Sequence, residues 1–166
     1  SNCQVIRVMP NTPAMVGEGA AALFSANAPR ESVEHTLKLF SAVGRAVLVD
    51  KEELIDAVTA ISGSGPAYFF LLMEEMVKAG VKMGMSVDIA EDLVYQTAKG
   101  AGVLAKQAYA RGESPAELRR KVTSPNGTTE AAVTVFGKLN LGETLFAGFE
   151  RARQRSIELS KEVESS

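Results

Sequence analysis

The sequence predicts a mainly α-helical fold preceded by a short β-α-β unit. Three observations carry this. Strand-like runs are confined to the first fifty of 166 residues. From Asp50 onward apolar residues recur at helical spacing, with no convincing strand. Glycine, proline and asparagine then punctuate the chain into helix-length pieces. Two domains are therefore expected, residues 1–50 and 51–166.

Residues 4–9, Q-V-I-R-V-M, read as a strand stopped by Pro10-Asn11-Thr12-Pro13. A strand needs neighbours for its hydrogen bonds, so a chain opening inside one reads as part of something longer. Residues 20–25 and 46–49 are the next expected strands. Between them residues 30–43 carry Val33, Leu37 and Phe40 at helical spacing. Three short strands and one helix cannot cover both faces of a parallel sheet, so this unit reads as the edge of a larger one. Residues 17–22, G-E-G-A-A-A, match a dinucleotide-binding fingerprint by letters alone. The mechanism needs a strand before and a helix after, whereas a proline-bearing loop precedes and a strand follows. The match is rejected.

Asp50 is expected to cap the first helix of the second region, with Glu52 and Glu53 in its first turn. Ser62-Gly63-Ser64-Gly65-Pro66 ends that helix and starts the next. Its glycines serve either a tight interhelical turn or the close approach of a flat ligand ring. Residues 67–83 are apolar nearly all round, the pattern of a central, buried helix. Ser86 caps a helix running to about Arg111, some 25 residues and ~37 Å long. A helical domain of about 115 residues has a radius of gyration near ~13 Å, so such a rod predicts an interlocked dimer. Ser114-Pro115-Ala116-Glu117 is a capping box with proline at the first helical position. The final helix is expected over residues 143–163, with Leu145, Phe146, Phe149, Ile157 and Leu159 inward and Arg151, Arg153 and Arg155 solvated or facing a partner.

Between the capped helix and a helix expected at residues 130–138 lies Val122-Thr123-Ser124-Pro125-Asn126-Gly127-Thr128-Thr129-Glu130. Pro125 fixes its own φ, and Asn126 and Gly127 both tolerate φ > 0, so the chain can turn sharply. The following helix start has unpaired N–H groups and the positive end of a dipole. One reading is an ordinary cap, with Thr128 or Thr129 capping and Glu130 placed for the dipole. The other is a cradle for a small carboxylate or phosphate.

Bulk properties narrow the function. A net charge of −2 and 23% charged residues give no argument for nucleic acid or an anionic membrane surface. A single cysteine excludes an internal disulfide framework and fits a reducing compartment, hence a cytoplasmic location. One cysteine and one histidine argue against a protein-ligated metal. The longest apolar run, residues 66–73, falls short of the ~18 residues a membrane span needs. His35 lies off its helix's apolar stripe and reads as solvated; Cys3 reads as an ordinary strand residue.

Four stretches then speak together: V-M-P-N-T-P-A (8–14), D-A-V-T-A-I-S-G-S-G-P-A (56–67), G-V-K-M-G (80–84) and T-S-P-N-G-T-T (123–129). In order and spacing the chain resembles pyrroline-5-carboxylate reductase over nearly its whole length. The resemblance implies that residues 1–50 are the tail of a Rossmann nucleotide-binding domain, most of which is missing. It implies that residues 51–166 are a helical dimerisation and substrate-binding domain. Interleaved homodimers, often assembled into decamers, would use NADPH or NADH to reduce 1-pyrroline-5-carboxylate to L-proline in proline biosynthesis. Carried over, the substrate would be bound by Glu52, Ser124, Asn126, Gly127, Thr128 and Thr129, with the Thr129 hydroxyl beside the ring nitrogen as proton donor or orienting group. Gly63, Ser64, Gly65, Pro66 and Lys121 would lie beside the cofactor. The family usually has Gly-Gly where this chain has Asn126-Gly127.

Two other readings stand beside this one. The first is a non-catalytic helical dimerisation module that keeps an anion-binding helix N-terminus. The second is the tail of a β-hydroxyacid-type dehydrogenase, for which Lys78 or Lys82 would be the base; their spacing selects neither. On the reductase reading, this stretch alone is expected to dimerise without turnover, because it cannot hold the nicotinamide cofactor.

Overall fold

The computed structural model describes residues 3–164. Its only sheet among them is small: β1 (Arg7–Met9), β2 (Gly19–Phe24) and β3 (Gly44–Leu48), in that order. β1 runs antiparallel to β2, with Val8 opposite Leu23, and β2 runs parallel to β3, with Ala21 opposite Ala46. Parallel neighbours need a crossover, which α1 (Arg30–Ser41) supplies. Leu37 and Phe40 of α1 pack with Ile6 and Val8 on the buried Ala21, Leu23 and Ala46. His35 is exposed, as its place off the stripe predicts.

β1 is shorter than residues 4–9. The Val5 N–H donates to Asn27 Oδ1 at 3.3 Å and the Val5 carbonyl accepts from Ser25 Oγ at 2.7 Å. Side chains replace the ladder there, so Cys3 lies before the strand rather than in it, and is exposed. A 3-10 turn, Thr12–Val16, follows β1 and ends at Gly17 with φ 75°. β2 begins two residues later, so a strand and not a helix follows the glycines of the letter-only fingerprint.

Gly44 is where β3 meets β2 most tightly. Its φ is +151°, and an added Cβ would stand 2.0 Å from the Gly19 carbonyl oxygen. Backbone cannot swing aside as a side-chain tip can. Gly44→Ala is expected to destabilise the fold by about 3 kcal/mol, read as a lower urea midpoint. An unchanged midpoint would show that the two strands can separate without loss.

The helical region comprises α2 (Leu54–Val58), a π-helical turn (Thr59–Gly63), α3 (Gly65–Lys82), α4 (Val87–Tyr109), α5 (Pro115–Lys121), α6 (Thr128–Lys138) and α7 (Leu141–Glu164). Asp50 does not cap α2. The helix starts four residues later, where the Leu54 and Ile55 N–H groups donate to the carbonyls of Lys51 and Glu52. A preceding backbone turn thus satisfies the first donors and no side-chain cap is needed. Ser86 does cap α4, accepting from the Ile89 N–H, and Ser114 with Glu117 forms the expected reciprocal box on α5. α4 runs 23 residues, ~35 Å. Gly80 lets α3 approach the start of α4, since a Cβ there would stand 3.2 Å from Ala90 Cβ.

Two expectations about apolar faces are corrected. α3 is not buried within the chain: only Gly65 is, while Phe69, Phe70, Leu71 and Leu72 are between 57% and 65% exposed. On α7, Leu145, Phe146 and Leu159 are exposed, and only Phe149 and Ile157 are half-buried. The apolar surface of α3 and the apolar stripe of α7 are real, but they mark surfaces that need covering rather than surfaces this chain covers. The α7 arginines are engaged on their own helix: Arg151 with Glu158 at 3.1 Å, Arg153 with Glu150 at 2.7 Å, and Arg155 with Glu162 at 2.8 Å. Being exposed, such pairs add little stability. Residues 54–82 are also, by length and composition, long and apolar enough to cross a membrane, with mean hydropathy 1.2 over the best window. The run of residues 66–73 understates that stretch, because the helical segments around it are apolar too.

Compactness divides the chain into two units. One takes the residues up to Phe69 together with those from Leu145, and the other is Phe70–Thr144.

Candidate functional site

The expected site residues fall into two groups, one in each unit. The first is the turn at residues 62–66. The π-helical turn that leads into it is one residue wider than an α-turn. The Ser64 N–H reaches the Thr59 carbonyl at 2.8 Å, five residues back. In an α-helix it would bond the carbonyl of Ala60. That carbonyl instead accepts from the Tyr68 hydroxyl at 2.9 Å, and the Tyr68 ring lies 4.9 Å from that of Phe149. The Ser62 carbonyl accepts from Asn11 Nδ2 at 3.1 Å. Wide turns of this kind recur at functional sites, where they re-aim backbone.

The two glycines of the turn are bare for different reasons. A Cβ on Gly63 would stand 2.3 Å from the Met9 methyl, so Gly63 makes room for a side chain of the same chain. Beyond its own helix and chain neighbours, nothing lies within 4 Å of a Cβ added to Gly65. The ligand-ring reading therefore rests on Gly65 alone, since Gly63 answers to a side chain of β1.

The second group surrounds Ser124-Pro125-Asn126-Gly127. The Gly127 N–H donates to the Ser124 carbonyl at 3.0 Å, with proline second and Asn126 at φ 59°. This is the pattern of a type II turn, which demands φ > 0 at its third residue. Asn126 alone takes the left-handed conformation; Gly127 has φ −86° and is the N-cap of α6. A Cβ on Gly127 would stand 2.5 Å from Ser124 Oγ and 3.0 Å from the Ser124 carbonyl oxygen, of which only the hydroxyl can swing aside.

Neither threonine caps α6. No side chain accepts from the first amides of the helix, and the hydroxyls of Thr128 and Thr129 have no hydrogen-bond partner among the described residues. Glu130 does not stay in the first turn as a bystander: its carboxylate accepts from the Asn126 N–H at 2.7 Å. Thr129 is half-buried and Thr128 exposed. The threonine-cap part of the ordinary reading thus fails, while Glu130 does lie in the first turn, where the dipole favours an acid. The corner presents helix amides, the dipole's positive end and two unused hydroxyls.

Glu52 and Lys121 are both engaged elsewhere. Glu52 pairs with Arg7 of β1 at 3.2 Å. Lys121 pairs with Glu113. The Lys121 ammonium, with the Arg111 guanidinium beside it, holds the Glu113 carboxyl below the usual carboxylate range. Any ligand contact by either residue would compete with these pairs. Asn11 and Tyr68 carry no role in the sequence reading. Their partners in the wide turn are carbonyls, and that of Ser62 lies 51 residues from Asn11, so no local spacing signals the contact.

Residues 52–159 match the family model described as pyrroline-5-carboxylate reductase dimerisation. The chain is 49% identical over 160 residues to a pyrroline-5-carboxylate reductase of Pseudomonas aeruginosa, covering 96% of this chain and 58% of the relative. It is 43% identical to one from Haemophilus influenzae, covering 97% and 58%. A solved pyrroline-5-carboxylate reductase from Coxiella burnetii superposes with TM-score 0.87 at 38% identity, over 94% of this chain and 57% of that one. A pyrroline carboxylate reductase structure from Plasmodium falciparum, with NADP bound, gives TM-score 0.84 at 33% identity, over 94% and 62%. The chain thus spans a little over half the length of the relatives it matches.

Proposed function

The chain belongs to the pyrroline-5-carboxylate reductase family through its dimerisation region, and on that premise we propose that it forms the substrate-binding and self-associating part of an NAD(P)H-dependent imine reductase. The reaction is reduction of 1-pyrroline-5-carboxylate to L-proline, in the cytoplasm. Residues 1–50 act as the tail of the nucleotide-binding domain and 51–166 as the helical domain. The observation that carries the reading is the α6 corner, with its uncapped amides and unpartnered Thr128 and Thr129 hydroxyls.

The substrate has a carboxylate and an imine, and the corner answers both. Because Glu130 holds the Asn126 N–H, the substrate carboxylate takes the amides that follow, at Thr128 and Thr129. Ser124, Asn126 and Gly127 shape the turn that aims them. Thr129 places its hydroxyl at the ring nitrogen, to orient or relay the proton that the nitrogen gains. A threonine hydroxyl is too weak an acid to act alone, so a water completes the relay. Glu52 contacts the substrate only if its pairing with Arg7 opens. A reduced nicotinamide, when bound, supplies the hydride. Gly65 leaves room for its ring, with Gly63, Ser64 and Pro66 fixing the turn and Lys121 at the margin.

The uncovered faces of α3 and α7 are met by a second copy, giving an interleaved homodimer and, further, a decamer. The apolar stretch at residues 54–82 then faces protein and not lipid. NADPH-dependent reduction of 1-pyrroline-5-carboxylate by the full-length gene product tests the assignment, with residues 1–166 alone expected to dimerise and not turn over. A full-length product without turnover would leave a non-catalytic dimerisation module.

A further inference from the structure

We infer that Asn11 is a positioning residue of the reductase: through its two amide ends it locks the wide turn at residues 59–63 to the strand unit. Asn11 Oδ1 accepts from the Ala20 N–H at 2.8 Å, at the start of β2. Asn11 Nδ2 donates to the Ser62 carbonyl at 3.1 Å. The two partners fix the amide's orientation, since an N–H can only donate and a carbonyl only accept. Both bonds lie in a half-buried setting; the one to Ser62 spans 51 residues of sequence and the one to Ala20 nine. Met9, two residues earlier, adds steric register by filling the space that Gly63 leaves open.

The geometry matters because a π-turn is poorly self-supporting. Its displaced bonding leaves carbonyls looking outward, and here Tyr68 takes one and Asn11 another. Tyr68 belongs to α3 and bonds within its own helical segment, so it steadies the turn's shape. Asn11 belongs to the strand unit, so it alone of the two sets where the turn stands relative to β1 and β2. That distinction rests on the reductase reading for its consequence. If the nicotinamide lies against Gly65, the Asn11 bond holds that glycine in register with the strands.

Asn11→Asp is the informative substitution. A carboxylate can still accept from the Ala20 N–H but faces the Ser62 carbonyl with no proton to give. Hydrogen exchange in peptides spanning residues 59–68 should be about tenfold faster in the variant, with the α4 peptides unchanged. In the full-length gene product, kcat should fall on the order of tenfold and the cofactor KM rise, while the KM for the imine stays within twofold. Unchanged exchange at the turn overturns the inference, as does faster exchange with unchanged kinetics. Uniformly faster exchange across the chain also overturns it, by making Asn11 a general stabiliser. If the parent enzyme itself lacks reductase activity, the functional assignment fails, and exchange still decides whether Asn11 holds the turn.

Discussion

Replacing Phe70 by aspartate is expected to weaken self-association about a hundredfold while leaving the chain folded. Phe70 is 60% exposed and sits in a run of four large apolar residues on α3, all similarly open. A phenylalanine side chain carries roughly 200 Å² of surface, so covering the open share is worth about 3 kcal/mol at ~25 cal/mol per Å². Each ~1.4 kcal/mol is tenfold in a dissociation constant, which gives the hundredfold figure. The loss falls on the complex because Phe70 buries little in its own chain. Sedimentation equilibrium reads the association constant, and far-UV circular dichroism checks that helix content is kept. An association constant equal to that of the parent would mean that this face of α3 is not the one a second copy covers.

The same face shows what a single sequence can and cannot convey. Residues 67–83 are apolar nearly all round, which demands burial but is silent about whether the covering surface lies in the same polypeptide. The length of α4, ~35 Å, is the one feature that points outside the chain, because it can be weighed against the size expected of its region. Helix starts with local chemistry were legible: Ser86 and the Ser114–Glu117 box cap as read. Asp50 was misleading, since backbone carbonyls at Lys51 and Glu52 took over its expected role. At the candidate site the same contrast holds. The left-handed Asn126 follows from the turn chemistry of Pro125-Asn126-Gly127. The Glu130 reach to the Asn126 N–H, the Met9 methyl over Gly63 and the Asn11 bridge all depend on where the backbone has already gone.

In the full-length gene product, Thr129→Ala is expected to lower kcat by roughly two orders of magnitude, the span of one positioned proton-transfer group. The imine KM should barely move. On the proposed reading backbone amides and the α6 dipole hold the carboxylate, and a side-chain truncation at Thr129 leaves both in place. Loss confined to kcat is the signature of an interaction made in the transition state. Thr129→Ser keeps the hydroxyl and should stay within a few-fold of the parent. Thr128→Ala, at the exposed neighbour, should do the same. Equal losses at Thr128 and Thr129 would point to a damaged helix start instead of a lost proton path, since the two share the first turn of α6. Unchanged kcat in Thr129→Ala would leave the corner as a carboxylate cradle only, with the proton arriving from solvent.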